Sequence, residues 1–222
     1  AVSRNIQKNG GKTHLVGRNE NELSTLAKEL GSTFTVADVL NENFSDVIIK
    51  DLGDQEIDGL AFCVGSIDLK PLKLTKKSDY MQCFNLNLIS ATEIIRACHD
   101  KLKKNKGSIV LFSTVAARKG FINHSIISSA KSAVEGLTVA LAAEFAPNVR
   151  VNCIAPSLSK SKMASSMLKN EKIAESIAKM HALKRIGEGD DFSSMVSFLL
   201  SKDSSWITGQ IIGVDGGRSS VA

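Results

Sequence analysis

The stretch GSIVLFS, residues 107–113, decides the fold because its central residues are apolar without interruption. A strand with one face in water alternates apolar and polar residues, whereas a strand that is apolar throughout is buried on both faces. Such strands belong to parallel sheets that are covered by helices on both sides. The stretch therefore predicts a central strand of a parallel sheet.

Similar apolar runs recur along the chain, and segments with helical periodicity separate them. In NENELSTLAKEL, residues 19–30, apolar residues repeat at intervals of three and four, which indicates an amphipathic helix. The other strand-like runs are THLVG (13–17), STFTVAD (32–38), GLAFCVG (59–65), VRVNCIA (149–155) and QIIGVDGG (210–217), with helices predicted at 1–10, 43–50, 75–103, 125–145, 163–180 and 190–200. This alternation predicts an α/β fold, a Rossmann-like doubly wound parallel sheet flanked by helices on both faces.

Composition limits the class of protein. With 222 residues, 43% hydrophobic and 23% charged, the chain is predicted to form one domain over residues 1–222. No run approaches the ~20 apolar residues of a membrane helix and no signal peptide is apparent, so we expect a cytoplasmic protein without membrane contact. The net charge of +5 is too small to indicate nucleic-acid binding. The spacing of the four cysteines predicts neither a metal site nor disulfides, and we expect all four to be buried: Cys63, Cys83, Cys98 and Cys153.

One element of such a sheet is missing from the sequence. A dinucleotide-binding sheet begins with a strand and a glycine-rich turn that leads into its first helix. This chain opens directly on the helical stretch AVSRNIQKNG, residues 1–10. We therefore expect that a strand and its turn, roughly a dozen to fifteen residues, are absent from this chain.

Several motifs, most of them in the second half of the chain, carry a family resemblance. They are YMQCFNLNL (80–88), HSIISSAKSAVEGLTVALAAEF (124–145), VRVNCIAPSLSKSKM (149–163) and RIGEGDDFSSMVSFLLSKDSSWITGQIIGVDGG (185–217). In this order they resemble the short-chain dehydrogenase/reductase family, and the match covers nearly the whole chain. The resemblance implies a nicotinamide-dependent oxidoreductase that moves hydride to or from a small-molecule carbonyl or alcohol. It also implies a homo-oligomer, a dimer or a tetramer.

The family's proton-transfer pair is only half present. In the family, a tyrosine lies four residues before a lysine, so that both share one helix face and the lysine charge lowers the pKa of the tyrosine. Lys131 matches that lysine, which also holds the nicotinamide ribose, and Ile127 stands at the position of the tyrosine. Isoleucine can neither give nor take a proton. The only tyrosine, Tyr80, is interpreted as a core residue.

Three other residues are candidates for the catalytic site. Thr114, thirteen residues before Ile127, matches a family serine, and Ser113 is less suitable because neighbours on a strand point to opposite faces. Asn87 falls on an apolar helical stripe, where a buried amide needs partners. In the family this asparagine is linked to the lysine through water, and the alternative is a bond to a loop.

His124 is the candidate for a replacement proton donor. It lies three residues before Ile127 at the predicted start of the helix, and histidine titrates near neutrality. A cap or a surface residue is the alternative interpretation. Asn123 could cap the helix instead.

The cofactor residues come from four places in the chain. Arg18 follows an early strand, where a guanidinium would meet a ribose 2′-phosphate, so NADP(H) is favoured over NAD(H), although an exposed loop arginine is the alternative. The resemblance assigns the adenine to Asp38 and Val39, although an aspartate at this place could simply end a strand or start a turn. In AFCVG, residues 61–65, only Gly65 remains of the family's Asn-Asn-Ala-Gly. The segment expected to wrap the nicotinamide contains Pro156, Ser157, Leu158 and Ser161.

Two functions remain open at this point. The first is an NADP(H)-dependent reductase or dehydrogenase with atypical chemistry. The second is a catalytically impaired NADP-binding subunit or sensor on the same scaffold. Segment 157–180 is predicted to form a lid with apolar and basic residues, which suits a 3-oxoacyl thioester or another amphiphilic carbonyl, although ordinary amphipathic packing explains the same pattern.

Overall fold

The computed structural model of the chain describes residues 1–221, apart from the side chain of Ser166. Strands and helices alternate along it as the apolar runs predict. Every pair of neighbouring strands is parallel. The strands are β1 (His14–Gly17), β2 (Thr33–Val36), β3 (Gly59–Ala61), β4 (Ser108–Phe112), β5 (Arg150–Pro156) and β6 (Ile211–Val214).

The helices lie close to the predicted segments. They are α1 (Val2–Lys8), α2 (Glu20–Leu30), α3 (Phe44–Leu52), α4 (Lys77–Phe84), α5 (Ser90–Lys104), α6 (Ser125–Phe145), α7 (Ser165–Leu168), α8 (Glu171–Lys179) and α9 (Gly189–Leu200). Predicted segment 163–180 is two helices instead of one, because Asn170 caps α8 by accepting from the backbone of Ile173. Between α4 and α5 the chain is π-helical over Asn85–Ile89.

Strand β4 confirms that the central strands are buried on both faces. Ile109, Val110 and Leu111 are all inaccessible to solvent. Ile109 and Leu111 belong to a core with residues of α3, α5 and α6, whereas Val110 belongs to a second core with residues of α9. Successive side chains of a strand point to opposite faces, so helices cover both sides of this sheet.

The parallel strands form two sheets. β1 pairs with β2, and β3–β4–β5–β6 form a four-stranded sheet in that order. Within residues 1–221, no strand pairing joins β1 to β3. A further strand between them would unite the two sheets. The expectation that a strand and a glycine-rich turn are absent from this chain stays a prediction.

Helix α6 has the predicted range, 125–145, but is more apolar than was expected of any segment of the chain. Its 21 residues are long and apolar enough to cross a membrane by length and composition alone, so the expectation that no run approaches this limit was wrong. In the fold, α6 packs against the sheet with Val134, Thr138 and Ala142 buried. That is the position of a core helix in an α/β domain.

Candidate active site

A cleft of about 520 Å³ lies at the carboxyl ends of β3, β4 and β5. Residues 63–67, 112–116 and 156–159, which end or follow these strands, form its floor, and α6 contributes one wall. The opposite wall is apolar and includes Met163, Met167 and Met180 from the predicted lid. Doubly wound sheets bind ligands at this end of their strands, so the cleft is the candidate active site.

Lys131 is buried in the wall of this cleft. Its side chain comes from α6, the residue is 7% exposed, and Nζ donates to the carbonyl oxygen of Phe112 at 2.8 Å. Burial lowers the pKa of Lys131 from 10.5 to about 8, because the charged form loses its hydration. A cation is thus held at the end of β4, where the cleft begins.

Asn87 faces the same point from the π-helical segment. Its Nδ2 donates to the carbonyl oxygen of Cys83 at 2.9 Å and to Oγ of Ser66 at 3.3 Å, so it bonds both its own helix and a loop. Its Oδ1 is buried and has no partner among the described residues. π-helical turns of this kind are frequent at functional sites.

Gly65 lies between the asparagine and the lysine. A Cβ atom on Gly65 would lie 3.0 Å from Oδ1 of Asn87 and 3.3 Å from Nζ of Lys131. A side chain here would crowd both polar atoms. The glycine therefore allows the asparagine oxygen and the ammonium to flank one point of the backbone.

Ile127 lies in the cleft wall one turn before Lys131. It is 5% exposed and packs in a cluster with Cys83, Ile126 and Ala130. Tyr80 does not line the cleft, and its hydroxyl donates to Oγ of Ser125 at 3.1 Å. Of the described residues that line the cleft, none is a tyrosine.

The two hydroxyl residues that follow β4, Ser113 and Thr114, both line the cleft, but their hydroxyls have different partners. Ser113 donates to Oε1 of Glu135 at 2.8 Å and is thereby turned toward α6. Thr114 lines the cleft, and its Oγ1 accepts from the backbone N–H of Ala116 at 3.2 Å. The proton of the Thr114 hydroxyl remains available for a substrate oxygen.

His124 stands at the start of α6 and lines the cleft, with its ring centroid 5.3 Å from that of Phe121. Its Nδ1 lies 2.7 Å from the carbonyl oxygen of Ile122. Because a carbonyl only accepts, Nδ1 carries the hydrogen, and Nε2 is the atom that can take or give a proton. Asn123 does not cap α6, since the N-cap residue is His124, so that alternative was wrong.

The residues predicted for the phosphate and adenine come together away from this cleft. Nη1 of Arg18 lies 3.6 Å from Oδ2 of Asp38, and the Arg18 side chain is 73% exposed. Asp38 also accepts from the backbone of Leu40 at 3.0 Å. Val39 packs against the core beside them. These residues follow β1 and β2, at the carboxyl ends of those strands.

The residues predicted for the nicotinamide line the cleft itself. Pro156, Leu158 and Ser161 are all part of its wall, and Oγ of Ser161 accepts from the backbone of Ala164 at 3.1 Å. Ser157 is buried and takes part in a contact that the sequence did not reveal. Oγ of Ser157 lies 2.8 Å from Nε2 of His181.

This buried pair ties the lid to the end of β5. His181 is 1% exposed, and its Nδ1 donates to the carbonyl oxygen of Ile177 at 2.9 Å, so Nε2 accepts from the hydroxyl of Ser157. The two residues are 24 positions apart, and no local pattern connects them. The prediction that Cys63 is buried was wrong. This residue follows β3, which ends at Ala61, and is exposed at the cleft.

Comparison with known proteins gives consistent matches over nearly the whole chain. A family model described as enoyl-(acyl carrier protein) reductase matches residues 1–219. A tropinone reductase homologue of Arabidopsis thaliana is 33% identical over 227 residues, covering 98% of this chain and 86% of that protein. A short-chain type dehydrogenase/reductase structure from Mycobacterium ulcerans is 25% identical with a TM-score of 0.89, covering 98% of this chain and 86% of its own. The structure of ElxO with NADP bound is 25% identical with a TM-score of 0.89, covering 99% and 93%.

Proposed function

The chain belongs to the short-chain dehydrogenase/reductase family of oxidoreductases, and from that premise we propose that it interconverts a carbonyl compound and an alcohol with NADP(H). The observation that carries this proposal is the buried ammonium of Lys131 at the ends of the strands, beside Asn87. Burying a cation costs free energy because the charge loses its hydration, and buried titratable groups of this kind are common at functional sites. An anionic nucleotide in this cleft supplies that use.

The residues present fit a nicotinamide cofactor. Of the described residues that line the cleft, none is acidic, and the buried Oδ1 of Asn87 lacks a partner. Lys131 would hold the ribose, and the hydroxyl of Ser161 would bond the carboxamide. The bound cofactor supplies or accepts hydride. The hydroxyl of Thr114 would donate a hydrogen bond to the oxygen of the carbonyl substrate.

We propose that Nε2 of His124 transfers the proton. Replacing His124→Gln should lower kcat for reduction by about 10²-fold, because a general acid contributes about 10² to 10⁴ in rate. The KM for NADPH should not change. Steady-state NADPH oxidation measures both values, with His99→Gln as a control histidine outside the cleft. A kcat equal to that of the parent protein would assign the proton to an ordered water instead.

We further propose that Arg18 selects NADP(H) over NAD(H). Its exposed guanidinium, only loosely paired with Asp38, can pair with a 2′-phosphate. Arg18→Gln should raise the KM for NADPH about 10-fold and leave the KM for NADH unchanged. Arg4→Gln, which removes an arginine paired with Glu29, is the control. Equal changes with both cofactors would contradict the role of Arg18.

A non-catalytic NADP-binding subunit is the second candidate, and Ile127 is the observation that favours it. Incubating the full-length protein with NADPH and a panel of carbonyl compounds separates the two functions. The panel includes 3-oxoacyl thioesters, which suit the methionine-rich wall of the cleft. Tight NADPH binding without oxidation by any member would support the binding subunit.

We also propose a homo-oligomer. Trp206, which lies between α9 and β6, is 98% exposed, and Val139 of α6 is 52% exposed. We propose that another subunit covers these two side chains, since the family resemblance implies an oligomer. Light scattering of the full-length protein tests this proposal.

A further inference from the structure

Arg218 is a cation in the cleft wall that the proposed reaction has not used. It follows β6 in the turn formed by residues 215–219, and its side chain lines the cleft. Its guanidinium carbon lies 5.0 Å from the ring centroid of Phe121. The aromatic ring stabilises the guanidinium charge by a cation–π interaction, which uses none of the N–H groups of the guanidinium.

No carboxylate within the described residues pairs with this guanidinium. Arg4, Arg118 and Arg185 each have a carboxylate oxygen within 2.8 Å. Nη1 of Arg218 is buried and has no hydrogen-bond partner among residues 1–221. Burial lowers the pKa of Arg218, with no opposing contribution from an acidic neighbour.

Hydrogen bonds fix the backbone around Arg218, and the contact with Phe121 restricts the guanidinium itself. The carboxylate of Asp215 accepts from the backbone of Gly217 at 2.9 Å and of Ser219 at 3.0 Å, and also from the Ser219 hydroxyl. Lys119 donates to the carbonyl oxygen of Arg218 at 2.9 Å. Asp215 is thus occupied within its own turn. A preorganised cation costs less entropy on binding an anion.

The rest of the cleft defines what kind of anion fits. Lys131, the buried cation of the wall, is assigned to the cofactor. Apolar side chains of the lid, Met163, Met167, Ile177 and Met180, make up much of the remaining wall. A ligand that satisfies this cleft has an apolar body and one anionic end.

We infer that the substrate is an oxo acid with an apolar chain, whose carboxylate forms paired hydrogen bonds with Arg218. The planar guanidinium matches a carboxylate in two parallel hydrogen bonds, which an ester cannot accept with equal strength. This inference rests on the proposed function, because it names the substrate class for the same cleft. It makes Arg218 the residue that determines specificity.

The test compares oxo acids with their methyl esters. The full-length protein is given NADPH with 2- to 6-oxo acids of medium chain length and the matched esters, and kcat/KM is measured for each. Acids should be preferred over esters by about 10- to 100-fold, and Arg218→Met should remove that preference. Arg218→Lys, which keeps the charge, should retain part of it. Arg96→Gln, an exposed arginine outside the cleft, should leave the ratio of acid to ester unchanged.

A binding measurement keeps this inference separate from the proposed function. Titration of the protein–NADPH complex with an alkanoate, and with the corresponding amide, requires no turnover. In the parent protein, the Kd of the alkanoate should be at least about 10-fold lower than the Kd of the amide. In Arg218→Met, the two Kd values should be equal. Selective alkanoate binding without any carbonyl reduction would contradict the proposed reaction but support the anion site at Arg218. Equal binding of acid and amide by the parent protein, or an equal loss of both in Arg218→Met, would overturn the inference.

Discussion

Introducing Ile127→Tyr into the His124→Gln variant, which lacks the proposed proton donor, should raise the rate of carbonyl reduction by about 10²- to 10⁴-fold, the range that a positioned general acid contributes. The new side chain would stand one turn before Lys131 on the same helix face and would reach the cleft. The buried ammonium of Lys131 would lower the pKa of the added phenol. Single-turnover oxidation of NADPH at saturating ketone measures the rate without product release.

Ile127→Phe is the matched control for this gain. It adds the same aromatic ring without a hydroxyl. Any loss of reduction rate that crowding causes should therefore appear in Ile127→Phe as well, without the gain that a proton donor gives. Overpacking a buried site costs about 1–3 kcal/mol, and the thermal unfolding of both variants should show this equally. If Ile127→Tyr is no faster than Ile127→Phe, the proton route is built around a different donor and cannot use a tyrosine here.

Replacing Lys131 with methionine should weaken NADPH binding and stabilise the ligand-free protein at the same time. Loss of a charged donor to the ribose should raise the Kd for NADPH about 10- to 100-fold. Methionine of similar length would not carry the burial penalty that lowers the pKa of Lys131 to about 8. That penalty is on the order of 3 kcal/mol at pH 7, and losing the hydrogen bond to Phe112 offsets about 1 kcal/mol of it.

The stability gain has a pH dependence that identifies its cause. Below pH 8 the lysine is charged in both the folded and the unfolded state, so the penalty is complete. Between the folded pKa of about 8 and the ordinary value of 10.5, the unfolded state binds more protons, and the folded state becomes more stable as pH rises. In urea unfolding at pH 7, 9 and 10.5, the difference in free energy of unfolding between Lys131→Met and the parent protein should therefore become smaller as the pH rises. An advantage that is absent at pH 7 would contradict a buried ammonium.

The fold was predictable because its signals are local. Ile109, Val110 and Leu111 are apolar in succession, which only a strand covered on both faces tolerates, and the helical periods gave boundaries within a few residues. The two errors have different causes. Asn170 divides the lid into two helices by a local cap, which the helical period of 163–180 masked, whereas the exposure of Cys63 depends on the tertiary structure around the end of β3.

The candidate site was predictable to the extent that spacing encodes it. Lys131 and Ile127 share a helix face, as their spacing predicts, whereas Ser113 and Thr114 both line the cleft, so alternation along the strand did not exclude Ser113. Contacts between distant segments carry no such signal. Arg218 over Phe121, like Ser157 with His181, joins positions that only the folded chain brings together.

The most direct test of the account follows the hydride itself. The full-length protein is incubated with NADPH carrying deuterium at both C4 positions of the nicotinamide and with the carbonyl panel, and the products are analysed by mass spectrometry. The account predicts an alcohol that contains one deuterium atom, formed slowly by the parent protein. Saturable NADPH binding with no deuterium in any product would contradict it and leave a binding protein in place of an enzyme.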